Sequence, residues 1–290
     1  MNEQAFNPYL PGYEYVPDGE PHVFGDRLYI FGSHDAFGGD RFCTKDYVCW
    51  FAPVDDLANW TFHGTIYRKT QDPMNTENRA MYAPDVACGA DGRFYLYYTL
   101  DFLGATSVAV ADAPEGPYAY YGYVCHPDGS ALGLSEGDVF CYDPGVLVDE
   151  DGRVHLYLGV APGNGPLARL RDGKRIMDGA YHFELEADMR TLRGEPHRVA
   201  PGQELAVGTP YEGHAFFEAS SIRRVGDRYY FIYSSIAGHE LCYATCDRPD
   251  GDFQYGGTLV SIGDIGLDGR TEKDAVNYYG NTHGSIERAG

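Results

Sequence analysis

Three acidic residues, Asp18, Asp143 and Glu218, each stand at the head of a segment that reads as a β-strand. Around Glu218, residues 213–235 run as an acid among apolar neighbours, a short alternating segment, a Gly226-Asp227 turn and an aromatic run. The same unit recurs with Asp143 ahead of Asp151-Gly152-Arg153, Asp85 ahead of Asp91-Gly92-Arg93, and Asp18 ahead of Gly25-Asp26-Arg27. A further copy opens at Thr282, with His283 where the others carry an acid. Carboxyl groups brought together in unlike surroundings can divide acid and base roles between them. Hydrolysis of a glycosidic bond needs such a pair, one to protonate the leaving oxygen and one beside the anomeric carbon. A gap of roughly 6.5–9.5 Å admits a water and inverts the centre, whereas about 5 Å gives retention. The apolar approach His214-Ala215-Phe216-Phe217 is expected to desolvate Glu218 and raise its pKa, as a general acid requires.

The elements that must position these acids follow from the repeat. Arg27, Arg93, Arg153 and Arg228 recur at roughly 60 to 75 residues, a blade period with room for loop insertions. Each copy has a second half, seen in residues 107–122 and 241–257 and more weakly in 48–64 and 181–194. One unit is therefore a four-stranded antiparallel blade whose first strand is opened by a polar residue. Blades bury their faces only against neighbours, so the expected fold is all-β: a five-bladed β-propeller occupying 1–290 as one domain, its fifth blade cut short. Like positions of successive blades would then converge at one mouth of the ring. Asp26, Asp91, Asp151 and Asp227 fall in turns and are set aside as structural.

Composition agrees with strands and tight turns: 25 Tyr, 37 Gly and 17 Pro in 290 residues. A net charge of −21, with no cluster of Lys and Arg, excludes a nucleic-acid partner, and no apolar run approaches membrane-spanning length. A neutral oligosaccharide suits this surface better. The first four residues show neither the basic start nor the apolar stretch of a secretion signal. With an odd count of seven cysteines lacking metal-type spacing, a reducing, cytoplasmic location is expected. Cys242 and Cys246 are taken as packing residues. Nothing in the sequence fixes the oligomeric state.

The opening Asn7-Pro8-Tyr9-Leu10-Pro11-Gly12, followed by Pro17-Asp18, resembles glycoside hydrolase family 43. So do Tyr82-Ala83-Pro84-Asp85, Tyr142-Asp143-Pro144, Glu218-Ala219 and His283-Gly284-Ser285, in order along the chain. The resemblance implies a five-bladed propeller that removes arabinofuranosyl or xylosyl units with inversion. It implies Asp18 as general base, Glu218 as general acid and Asp143 as modulator of the acid's pKa. It also implies no required cofactor, but a hydrated calcium in the central channel near His283, reached through water because calcium prefers oxygen ligands. A hydrogen-bonded core histidine is the competing account of His283.

Several residues depart from the family pattern or leave their roles open. Glu20, two residues after Asp18, competes for the base role, and Tyr82 stands where the family commonly has Trp. Asp85, Tyr82, His214, Phe216 and His283 are the expected substrate-binding set. Tyr13, Tyr15 and Tyr142 flank the acids as candidate sugar platforms, and His22, His34 and Asp35 as candidate pocket walls. The alternative to an enzyme is a carbohydrate-binding or scaffolding propeller that has kept the acids without turnover. Sugar identity, linkage and exo or endo action depend on loop shape.

Overall fold

The computed structural model describes residues 8–277, 280 and 282–289, without the side chains of residues 166 and 167. The expectations drawn from residues 1–7 and from Gly290 lie outside the described residues. Among the described residues, sixteen strands form four antiparallel sheets of four, each in simple sequence order. The first holds β1 (Glu20–Phe24), β2 (Arg27–Phe31), β3 (Tyr47–Pro53) and β4 (Thr61–Tyr67). The second holds β5 (Asp85–Cys88), β6 (Phe94–Thr99), β7 (Thr106–Ala111) and β8 (Ala119–Tyr123). In the third are β9 (Gly145–Val148), β10 (Val154–Leu158), β11 (Gly179–Leu185) and β12 (Leu192–Pro201). The fourth has β13 (Phe216–Val225), β14 (Arg228–Ser235), β15 (Glu240–Cys246) and β16 (Gln254–Ser261). The first strands neighbour one another in turn, β1 against β5, β5 against β9 and β9 against β13, so they line the axis of a propeller.

The aromatic runs of the second strands lack polar alternation because both faces of those strands are largely buried. In β6, Leu96 and Tyr98 pack with Tyr29, Phe31 and Tyr47 of the first sheet, while Tyr95 and Tyr97 pack with Val154, Leu156 and Phe183 of the third. In β10, Tyr157 turns the other way, to Phe216, Phe231 and Tyr233 of the fourth. Arg27, Arg93, Arg153 and Arg228 follow the β1–β2, β5–β6, β9–β10 and β13–β14 turns, as the repeat requires.

The expectation of five blades is corrected: four are formed among the described residues. Past β16 the chain makes short 3-10 turns at Ile262–Asp264, Leu267–Gly269 and Glu272–Asp274. The copy opening at Thr282 offers a single strand's worth of sequence, and a strand without a neighbour forms no ladder. Residues 282–289 instead follow the seam between the fourth and first sheets outside any strand, where Ser285 Oγ lies 2.6 Å from Ser221 Oγ and Glu287 lies 3.3 Å from Arg223.

All seven cysteines are free, five of them buried and Cys88 and Cys246 half-buried. No helix among the described residues is long and apolar enough to cross a membrane.

The third sheet also buries a histidine pair, His155 Nδ1 lying 2.9 Å from His182 Nε2. Burial, then the charge on His155, lowers His182 to about 3; burial and Arg153 lower His155. Unfolded, both titrate at about 6.5, so below that pH the unfolded chain takes up protons that the folded one refuses. The contribution of His182 is complete above about pH 6.5 and declines toward about pH 3, by up to about 1.4 kcal/mol per pH unit, and His155 acts in the same direction. Urea midpoints measured from pH 7 to pH 4.5 are expected to fall more steeply for the native chain than for His182→Gln; equal slopes would remove the pair from the acid response.

Candidate active site

Asp18 and Asp143 lie two residues ahead of β1 and β9, and both adopt left-handed backbone, φ 57° and 43°. In β13 the pairing register slips on both sides of Glu218, and Ala219 takes φ 66°. A bulge of this kind re-aims side chains off the regular alternation, and here Phe217 and Glu218 both face the same cavity. Close packing fixes the entry to β9: a Cβ on Gly145 would come 2.6 Å from the Ser220 carbonyl oxygen, so only glycine lets β9 approach β13.

These devices bring Asp18, Asp143 and Glu218 into one cavity of about 390 Å³, with His283, Asp35 and Tyr82 beside them. The volume is within the range of small-ligand sites. Its walls are apolar: Phe42 from the segment joining β2 to β3, Phe102 from that joining β6 to β7, and Leu170 and Met177 from that joining β10 to β11. Tyr82 is the centre of an aromatic cluster, with ring centroids 5.8 Å from Phe42, 6.1 Å from Phe102 and 5.5 Å from Tyr142. Its hydroxyl donates to Asp101 at 2.8 Å.

The acids differ in their surroundings. The Ser33 hydroxyl donates to Asp18 Oδ2, and His283 Nδ1 lies 3.5 Å from Oδ1. Asp143 is buried and accepts the backbone N–H of Ala219 at 3.1 Å, which pins the bulge carrying Glu218. Burial raises Asp143 to about 7; His283 and the Ala219 N–H oppose the rise, while Asp18 and Glu20 reinforce it. Burial disfavours a charge on His283, but Asp18, Glu20 and Asp143 outweigh it and raise the imidazole to about 10. The ring stands 3.8 Å from Glu20 and 3.9 Å from Asp143.

The structure departs from the expected substrate-binding set at three residues. Asp85 is fully buried away from the cavity, bonded to His22 at 2.5 Å and to the backbone N–H groups of Val86 and Val146 at 2.7 Å. Burial works against its charge, yet His22, Arg223 and Val146 hold it below the ordinary carboxylate value. Phe216 points into the core between the third and fourth sheets, one residue short of the bulge. His214 turns outward, bonded to Glu240 at 2.8 Å and stacked on Tyr255. Among the candidate platforms and walls, Tyr142 and Asp35 line the cavity, whereas Tyr13, Tyr15, His22 and His34 do not. Glu20 is not in the cavity either; it is 1% exposed and paired with Arg223 at 2.9 Å. Asp18 is thus the one of the two that faces the site.

Phe42, Phe102, Phe140 and Met177 line the cavity without having been expected there from sequence. For Phe42 and Phe102 a signal exists: large aromatics in polar, Gly-containing loops, outside any strand period, 65% and 49% exposed.

Comparison with known proteins bears on what this cavity does. The model of glycosyl hydrolases family 43 matches residues 14–219. A xylosidase/arabinosidase of Thermoclostridium stercorarium is 51% identical over 288 residues, 99% of this chain and 59% of that protein. A xylosidase/arabinosidase of Bacteroides ovatus is 32% identical over 279 residues, 87% of this chain and 80% of that one. The chain therefore spans about three-fifths of the first relative's length. The solved structure of the GH43_1 enzyme from Xanthomonas citri complexed with xylose superposes with TM-score 0.68 at 28% identity, over 87% of this chain and 76% of that one.

Proposed function

The chain belongs to family 43 of the glycoside hydrolases, and from that premise we propose that it releases D-xylosyl or L-arabinofuranosyl units from oligosaccharides by single displacement with inversion. The observation that carries this is the convergence of Asp18, Asp143 and Glu218 on one aromatic-walled cavity. Glu218 protonates the glycosidic oxygen as the bond to the anomeric carbon breaks. Asp18 accepts the proton of the water that attacks from the opposite face. Asp143 positions the acid through the Ala219 N–H. Tyr82, Phe42 and Phe102 offer ring faces to the sugar, and the apolar walls exclude water that would weaken these interactions.

The test uses the purified chain with 4-nitrophenyl β-D-xyloside and 4-nitrophenyl α-L-arabinofuranoside, following the newly released sugar by proton NMR. The expected first product from the xyloside is α-xylose, which then mutarotates. β-Xylose as first product would overturn the single displacement. A folded chain that binds xylo-oligosaccharides and turns over neither compound would be a binding propeller.

A further inference from the structure

The axis of the ring is a column of charge. Glu20 opens β1, His22 follows two residues later and Asp85 opens β5, with one ligand-type atom of each within 4.8 Å of the others. Two carboxylates and an imidazole so close, and buried, would ordinarily attract a divalent cation. Arg223 already reaches into that position from β13. Its Nη2 donates to Glu20 Oε2 at 2.9 Å and to the Pro21 carbonyl at 2.7 Å, and lies 3.2 Å from His22 Nε2. Its Nη1 donates to the Ile222 carbonyl at 2.7 Å, and its Nε is 3.3 Å from Glu287. His22 and Asp85 share a hydrogen bond between the atoms that would face an ion. The residues present do not fit a calcium ion at this point of the channel.

We propose that the Arg223 guanidinium is the built-in cation of the axial channel, seated where a divalent ion would bind Glu20, His22 and Asp85, so that this chain holds its axial carboxylates without a metal. A planar fork with several donors suits the task, since it can bond one carboxylate and two carbonyls at fixed angles. The same side chain ties β13 to β1 across the seam that residues 282–289 follow. Glu20, which it holds, stands 3.8 Å from His283.

The test reads ion binding and thermal unfolding, so it stands whether or not the proposed reaction is found. The chain is stripped with EDTA, dialysed and titrated with CaCl₂ and with MnCl₂, by calorimetry and by Tm. The native chain is expected to show no stoichiometric binding and no shift in Tm. Arg223→Met uncovers the three ligands and is expected to gain an ion-dependent rise in Tm. Should Arg223→Met not fold with or without the ions, Arg223→Gln takes its place. One ion bound per native chain with a raised Tm would overturn the proposal. So would a folded Arg223 variant that neither salt stabilises.

Discussion

Glu218→Gln is expected to lower turnover of an alkyl or oligosaccharide glycoside by about 10²–10⁴-fold, the usual contribution of a positioned general acid. The amide keeps the size of the side chain and its place on the bulge, so the cavity keeps its shape and xylo-oligosaccharide should bind about as before. The decisive comparison varies the leaving group. A 4-nitrophenolate leaves without help, whereas an alkoxide must be protonated as the bond breaks. The loss should therefore be much smaller on the nitrophenyl compound than on xylobiose. Equal losses on the two would mean that Glu218 does not deliver the proton, and kcat for both substrates settles it.

Exchanging the two acids of the first blade should separate chemistry from stability. Asp18→Asn is expected to lose at least about 10²-fold in kcat with a smaller change in thermal unfolding than Glu20→Gln, because Asp18 is partly exposed at the cavity. Glu20→Gln should do the reverse. It removes the fully buried partner of Arg223 and leaves only the more exposed Glu287, 3.3 Å away, and breaking a buried pair costs about 3–5 kcal/mol. For a domain of this size that corresponds to a Tm lower by on the order of 10 °C. Thermal unfolding and kcat measured on both variants provide the check. A folded, inactive Glu20→Gln beside an active Asp18→Asn would move the base to Glu20.

The repeat made these acids legible, and it also explains which residues were misassigned. Aligning the blades by their carboxylates equates Asp18, Asp85 and Asp143. Aligning them by the first residue of the inner strand equates Glu20, Asp85 and Gly145, and places Ala83 beside Asp18 and Asp143 at the cavity. Asp85 is thus the partner of Glu20 on the axis, two residues past the position that faces the cavity. Phe216 was displaced for a related reason. Strict alternation cannot foresee that the register slips at Glu218, which turns Phe217 outward to the cavity and leaves Phe216 in the core. The loop walls carry no period at all, so only their exposed aromatics hint at a role. The four sheets are readable because both faces of their second strands are largely buried, which writes apolar and aromatic runs into the chain. The fifth was inferred from a first strand alone, and a single strand does not determine a sheet.

The acids enter at the starts of inner strands, where neighbouring sheets touch backbone to backbone, while Phe42, Phe102, Leu170 and Met177 come from connections between second and third strands. On the proposed reading, the groups that transfer protons and the walls that meet the sugar therefore come from separate stretches of the gene. If that reading holds, libraries that recombine only those connections are expected to change which sugar is accepted while the three acids keep their places.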